Sequence, residues 1–246
     1  MRGTIVIERR FRGPPNSGNG GYSCGRLAAF VDGTAEVTLV KPPPLDTPLT
    51  VADAADGTVA LYDDERLIAT ARAATVDVEA RARPTFAEAE AAARRTFSAS
   101  AHKLPMCFVC GPDRAPGDGL RIHPGPLDPA DVEWRGVVAA TWIPAADMAA
   151  ADGKVADEFV WAALDCPTAY ANGSPDGFPN ILLGRQAVRI ERRPDIGERC
   201  VVTAWRTTHD GRKHRAEGAL LGGDGDPVAV CRATWIEVTP EVLVGL

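Results

Sequence analysis

Leu67-Ile-Ala-Thr-Ala-Arg-Ala-Ala-Thr-Val-Asp-Val78 lies over Pro227-Val-Ala-Val-Cys-Arg-Ala-Thr-Trp-Ile-Glu-Val238. Ala69/Ala229, Arg72/Arg232, Ala73/Ala233 and Val78/Val238 are identical, and Asp77/Glu237 match in charge. Upstream, Val37, Leu39, Lys41 and Pro43 fall over Val188, Ile190, Arg192 and Pro194. The helical segments align as well, Leu27 over Leu164, with the extra loop at 172–179 absorbing the change of register. The order of elements repeats with the residues, so the chain reads as a tandem duplication.

Working outward, the first half opens with a strand at 4–11 and the glycine-rich loop 16–21. A short helix over 22–31 closes at Asp32-Gly33. Strand-like runs follow at 35–41 and 48–53, and a longer hairpin over 58–78 turns at Asp63-Asp64. Residues 84–97 change character: Glu88 to Ala93 followed by Arg94 and Arg95 are strong helix formers, with acids before bases as the helix dipole prefers. The second half shows strands at 120–123 and 132–143, a helix over 157–171, and strands at 183–192, 199–208 and 212–238. Gly222-Gly223-Asp224-Gly225 interrupts the last of these, and Asp210-Gly211 marks a hairpin before it. The expected organisation is an N-terminal repeat over 1–83, a connecting helix and linker over 84–103, and a C-terminal repeat over 104–246.

One helix followed by hairpin-linked strands can bury its apolar stripe only against a sheet that curls round it. The expected fold is therefore α+β, with each half a curled antiparallel sheet wrapped around one central helix. Two such units in one chain can pair edge to edge and hide strand edges that would otherwise promote aggregation.

Composition narrows the function. The chain has 246 residues, 45% hydrophobic and 24% charged, enough to bury a core without disulfide staples. Asp and Glu outnumber Lys and Arg 33 to 27, for a net charge of −6, which counts against a sequence-independent grip on nucleic acid. No apolar run approaches a membrane span, and residues 1–10 alternate apolar and charged without a signal-peptide core. The expected location is the cytoplasm. Cys24, Cys166, Cys200 and Cys231 sit singly in apolar stretches and read as small buried hydrophobes. Cys107 and Cys110 form the one C-x-x-C; with no second ligand pair of recognisable spacing, they read as a tight turn with two packed thiols and no metal. His102 or His123 could complete a zinc site there.

Two segments resemble a known family. Phe159-Val-Trp-Ala-Ala-Leu-Asp-Cys-Pro-Thr-Ala-Tyr-Ala171 is similar to the central helix of hotdog acyl-CoA thioesterases of the phenylacetate-pathway type. Cys107-Phe-Val-Cys-Gly-Pro-Asp, running on to Gly119-Leu-Arg121, resembles an opening found in many thioesterase-like hotdog domains. The repeat makes the likeness one to the double-hotdog form, in which one chain does the work of a homodimer. The resemblance implies a catalytic carboxylate at Asp165 and an Asn-Gly-Gly triplet at the start of a central helix. That triplet is Asn19-Gly20-Gly21 in the first half, where Ala28 replaces the acid. The second half keeps the acid and has Ala156, Asp157 and Glu158 instead of the triplet.

The halves are thus complementary, and one composite site per chain is expected. Asp165 would act as general base or nucleophile, the Gly20 and Gly21 amides as oxyanion donors, and Asn19 as the orienting group. Glu158 is the reserve acid. A purely structural Asp165, with Pro167 perturbing the helix two residues later, is the plain alternative. Trp161 could wall an acyl pocket, and Arg212-Lys213 could meet coenzyme A phosphates. No histidine lies in either central helix, which counts against a hydratase. The expected activity is hydrolysis of an acyl-CoA or similar thioester without a cofactor, by a monomer or a homodimer of double hotdogs. The rival is a non-catalytic hotdog protein that binds acyl-CoA or a related ligand.

Overall fold

The computed structural model describes residues 1–245, and its centre is a single sheet of eleven strands. The strands are β1 (Gly3–Ile5), β2 (Ala35–Leu39), β3 (Leu49–Asp53), β4 (Val59–Asp63), β5 (Arg66–Ala73), β6 (Gly125–Pro126), β7 (Val137–Trp142), β8 (Ile181–Ile190), β9 (Cys200–Asp210), β10 (Lys213–Leu221) and β11 (Pro227–Glu237). Their spatial order is β1-β3-β4-β5-β2-β8-β11-β10-β9-β7-β6, and every pairing is antiparallel. From the β2/β8 seam outward, the two directions read alike: β2-β5-β4-β3 on one side, β8-β11-β10-β9 on the other.

That seam joins the sheet through Ala35↔Val188 to Thr38↔Arg185. Glu36 sits on it, only 7% exposed at the side chain. It meets Arg72 at 2.7 Å, Arg185 at 3.7 Å and Arg232 at 3.6 Å. Arg72 and Arg232 are the two arginines that the repeat places in register, so both converge on one carboxylate from β5 and β11. Removing the acid would leave these guanidinium groups facing one another around a buried gap. We expect Glu36→Ala to cost about 1–3 kcal/mol, read as a lower denaturant midpoint, and Arg72→Ala to cost less because Arg72 is more than half exposed.

The helices are α1 (Gly20–Ala28), α2 (Phe86–Ala93), α3 (Asp157–Ala163), α4 (Asp165–Tyr170) and α5 (Pro240–Gly245). Among the described residues, no helix is long and apolar enough to cross a membrane. Strand residues alternate between two faces of the sheet. Val202 and Ala204 point into the larger core with Leu27, Leu164 and Tyr170, whereas Val201 and Trp205 point to the opposite face. There Ala89 and Ala92 of α2, with Val76 and Val78, complete a second apolar layer. Helix α2 starts on a capping box: Thr85 accepts from the Glu88 amide while the Glu88 carboxylate takes the Thr85 amide.

Three expectations from sequence change here. The strand expected at 4–11 stops at Ile5, and a 3-10 turn occupies Arg9–Phe11. Leu120 to His123 is not a strand of the sheet; Arg121 takes φ +52°, and Leu120 and Ile122 instead donate to Phe108 and Val109 carbonyls. The helix over 157–171 is broken at Leu164 into α3 and α4. Pro167 has no N–H to return to the Ala163 carbonyl, so the turn carrying Asp165 restarts.

Candidate active site

Helices α1 and α3 run against each other through two glycines. A Cβ on Gly25 would stand 2.6 Å from Glu158 Cα and 2.9 Å from Trp161 Cβ. One on Gly21 would stand 2.8 Å from the Trp161 carbonyl oxygen and overlap Asp165 Cβ. Glycine at these positions lets the start of α1 reach Asp165.

Asn19 caps α1, its Oδ1 accepting from the Tyr22 amide at 2.9 Å. Its Nδ2 donates to Asp165 Oδ2 at 2.8 Å, closing a bond across 146 positions of sequence. The composite pair expected from the two halves is therefore brought together. Asp165 is 1% exposed, and its Oδ1 closes no hydrogen bond among the described residues. Burial pushes its carboxyl up to about 7, with the nearby Cys107 sulfur adding in the same direction. The facing Gly21 amide and the Asn19 bond oppose that rise.

Asp165, Asn19 and Gly20 line one cavity of about 240 Å³. Its other walls are mostly apolar, with Leu39, Phe178, Ile181, Leu183 and Trp235 among them, and the exposed Lys41 stands with them. Gly20 and Gly21 serve different ends. Gly20 lines the cavity and its amide makes no hydrogen bond among the described residues, whereas Gly21 packs against Asp165 and the Trp161 carbonyl.

The remaining sequence candidates lie elsewhere. Trp161 packs in the contact between α1 and α3 and does not line the cavity that holds Asp165; Trp235, bonded through Nε1 to Thr168 at 2.8 Å, does. Glu158 is half-buried against Gly25 and lines no part of the cavity. Arg212 is held on the Glu237 carbonyl at 2.7 Å, and Lys213 is exposed beside it. Neither lines the cavity, although Ile236 and Val238 on either side of Glu237 do.

Sequence reading separated Cys166 from the C-x-x-C. In the fold, Cys107, Cys110 and Cys166 are gathered on the cavity wall beside Asp165. The short interval Asp165-Cys166-Pro167 was the available signal, since any segment that brings the acid to Asn19 carries Cys166 with it.

Asn19 does two jobs that substitution can separate. Asn19→Ser keeps a capping oxygen and loses the donor to Asp165; Asn19→Ala loses both. We expect the serine variant to keep most of the stability while alanine costs roughly 1–2 kcal/mol more, with activity depressed in both. Thermal melts beside turnover assays read the two effects apart.

These features define one large antiparallel sheet with few helices and a buried carboxylate at a cavity, the hotdog architecture. No protein-family model and no curated protein matches the sequence. Solved structures do match along nearly the whole chain. A hotdog-fold protein of unknown function from Alicyclobacillus acidocaldarius aligns at TM-score 0.61 and 11% identity, over 96% of this chain and 93% of its own. A candidate thioesterase from Novosphingobium aromaticivorans aligns at TM-score 0.60 and 14% identity, over 96% and 95%. The TesB protein of Mycobacterium avium subs. paratuberculosis aligns at TM-score 0.57 and 13% identity, over 90% and 88%. At these identities the likeness establishes the fold, and the chain has the hotdog fold.

Proposed function

We propose that this protein is a tandem hotdog hydrolase of acyl thioesters, with coenzyme A thioesters as the substrate class and one composite site per chain. The observation that carries the reading is the 2.8 Å bond between Asn19 and Asp165 at the floor of an apolar cavity. The strand order, which reads alike from the β2/β8 seam, supports two hotdog units over 1–83 and 104–246. Structural neighbours described as thioesterases support the reaction class.

Thioester hydrolysis places negative charge on the carbonyl oxygen as water or a carboxylate adds. The free Gly20 amide, at the first turn of α1, is the donor offered to that oxygen. Asp165 either takes a proton from the attacking water or attacks the carbonyl carbon itself, in which case the C–S bond breaks, the thiolate leaves and takes a proton from solvent, and water opens the resulting anhydride. Its unpaired Oδ1 is the oxygen available for either role. Asn19 holds the other oxygen and fixes the plane of the carboxyl. A cavity this small suits a compact acyl group.

Lys41 is the cation placed to meet phosphate at the cavity. Lys41→Ala should raise KM for acyl-CoA about 2–5-fold with kcat unchanged, and should leave KM for a short acyl thioester without phosphates untouched.

The test is release of free thiol from a panel of acyl-CoA thioesters, run beside equilibrium binding of the same compounds. Turnover that tracks the acyl group supports the hydrolase. Saturable binding with no thiol released would give the protein the role of an acyl-CoA binder.

A further inference from the structure

The thiols of Cys107, Cys110 and Cys166 form a cluster beside the carboxylate, with Cys166 Sγ 3.9 Å from Asp165 Oδ2. Their Sγ atoms all lie within 4.8 Å of one another, and all three residues are buried. Cys107 and Cys166 stand 3.7 Å apart. Two thiolates on one tetrahedral zinc, each at about 2.3 Å, are separated by about 3.8 Å.

The turn around Cys107 is tightly closed. The Gly111 amide closes onto the Cys107 carbonyl at 2.8 Å, and a Cβ on Gly111 would strike the Pro105 and Cys107 carbonyl oxygens. The Asn19 side-chain amide stands on the Cys107 sulfur, its Nδ2 3.8 Å from Sγ. Amide donors favour the charged sulfur that a metal requires.

His102 Nε2 lies 3.3 Å from Cys110 Sγ. Its Nδ1 accepts the Leu104 amide at 3.1 Å, so the neutral ring carries its proton on Nε2 and donates it to the sulfur. His102 is therefore an outer partner that orients Cys110, and the direct ligands are the three sulfurs. Soft sulfur donors select zinc and its thiophilic relatives over magnesium or calcium. All three cysteines also line the cavity that holds Asp165.

We propose that Cys107, Cys110 and Cys166 form a three-thiolate site for Zn(II), with the fourth coordination position turned toward the cavity. Binding replaces the three thiol protons, which pass to solvent, and leaves a site of net charge −1. No electron transfer is involved.

The test uses the full chain, reduced and stripped by a chelator, then titrated with Zn(II) alone and with Cd(II) as an optical probe. The expected result is one Zn(II) per chain and a near-ultraviolet thiolate-to-Cd(II) charge-transfer band in the wild-type protein, which needs no variant to read. Cys107→Ser, Cys110→Ser and Cys166→Ser should each weaken Zn(II) binding at least about 100-fold, and His102→Gln should weaken it about 10-fold. Cys24→Ser and Cys200→Ser, buried elsewhere, should leave the affinity unchanged. Substoichiometric Zn(II) on the reduced chain would overturn the site, as would a Cd(II) complex without the charge-transfer band or equal affinity in a folded Cys166→Ser variant. A disulfide among the three that forms on purification, with no metal uptake after reduction, would overturn it too.

Discussion

Asp165→Asn should lower kcat for thioester hydrolysis about 10²–10⁴-fold while leaving the fold and its melting temperature intact or slightly raised. The two halves of that expectation have separate causes. The amide oxygen of asparagine can still accept from Asn19 Nδ2, so the bond that ties α1 to α4 survives. Meanwhile the substitution removes a carboxyl that is 1% exposed and has one oxygen without a partner. A buried acid in that state is a cost to the folded protein, and replacing it by an isosteric neutral group relieves the cost. Glu158→Gln is the matched comparison, since Glu158 lies off the cavity and should retain full turnover. Wild-type activity in a folded Asp165→Asn variant would remove the carboxylate from the mechanism. A large loss of stability with the loss of activity would instead favour the structural role of that aspartate.

The hotdog fold was legible because the residues that match between the two halves of the sequence lie on strands whose neighbours are fixed by pairing. Val37 and Val188 fall on the two strands of the seam, and Arg72 and Arg232 on the strands flanking it. Where local pattern decided alone, it was less informative. Leu120 to His123 alternates like a strand, but Arg121 in the left-handed region turns it away from the sheet. Asn19, Gly20 and Asp165 could be named from the complementary gaps of the two halves. Its spacing from Asp165 along one continuous helix points Trp161 to the pocket. Pro167 breaks that helix at Leu164, and the contact with α1 takes Trp161. Trp235, far away in sequence, has the wall position through a hydrogen bond to Thr168. Cys166 joining Cys107 across 59 residues is likewise a product of packing, with no local periodicity to announce it.

Gly21→Ala carries the largest expected effect on stability. The added methyl would stand 2.8 Å from the Trp161 carbonyl oxygen and 3.0 Å from Asp165 Cγ, and would overlap Asp165 Cβ. Backbone of a packed helix and the root of a buried side chain cannot rotate out of the way, so α1 and α3 must separate. Forcing a methyl into a filled core costs typically 1–3 kcal/mol, and the rigidity of these neighbours places this substitution near the upper end, about 3 kcal/mol. For a chain of this length that is a fall in Tm of roughly 6–12 °C. Gly25→Ala meets Glu158 Cα at 2.6 Å and should behave alike, and the double variant should lose less than the sum because one separation of the helices relieves both clashes. Gly20→Ala is milder: its nearest neighbours are Leu183 Cβ and Cδ2, both at 2.9 Å, of which Cδ2 can rotate away while Cβ yields only with a small shift of β8. It should melt within a few degrees of wild type, yet lose activity because the methyl and the displaced leucine both intrude on the cavity. An unchanged Tm for Gly21→Ala would mean that the helices do not approach this closely, and the Asn19–Asp165 bond that depends on their approach would fall with it.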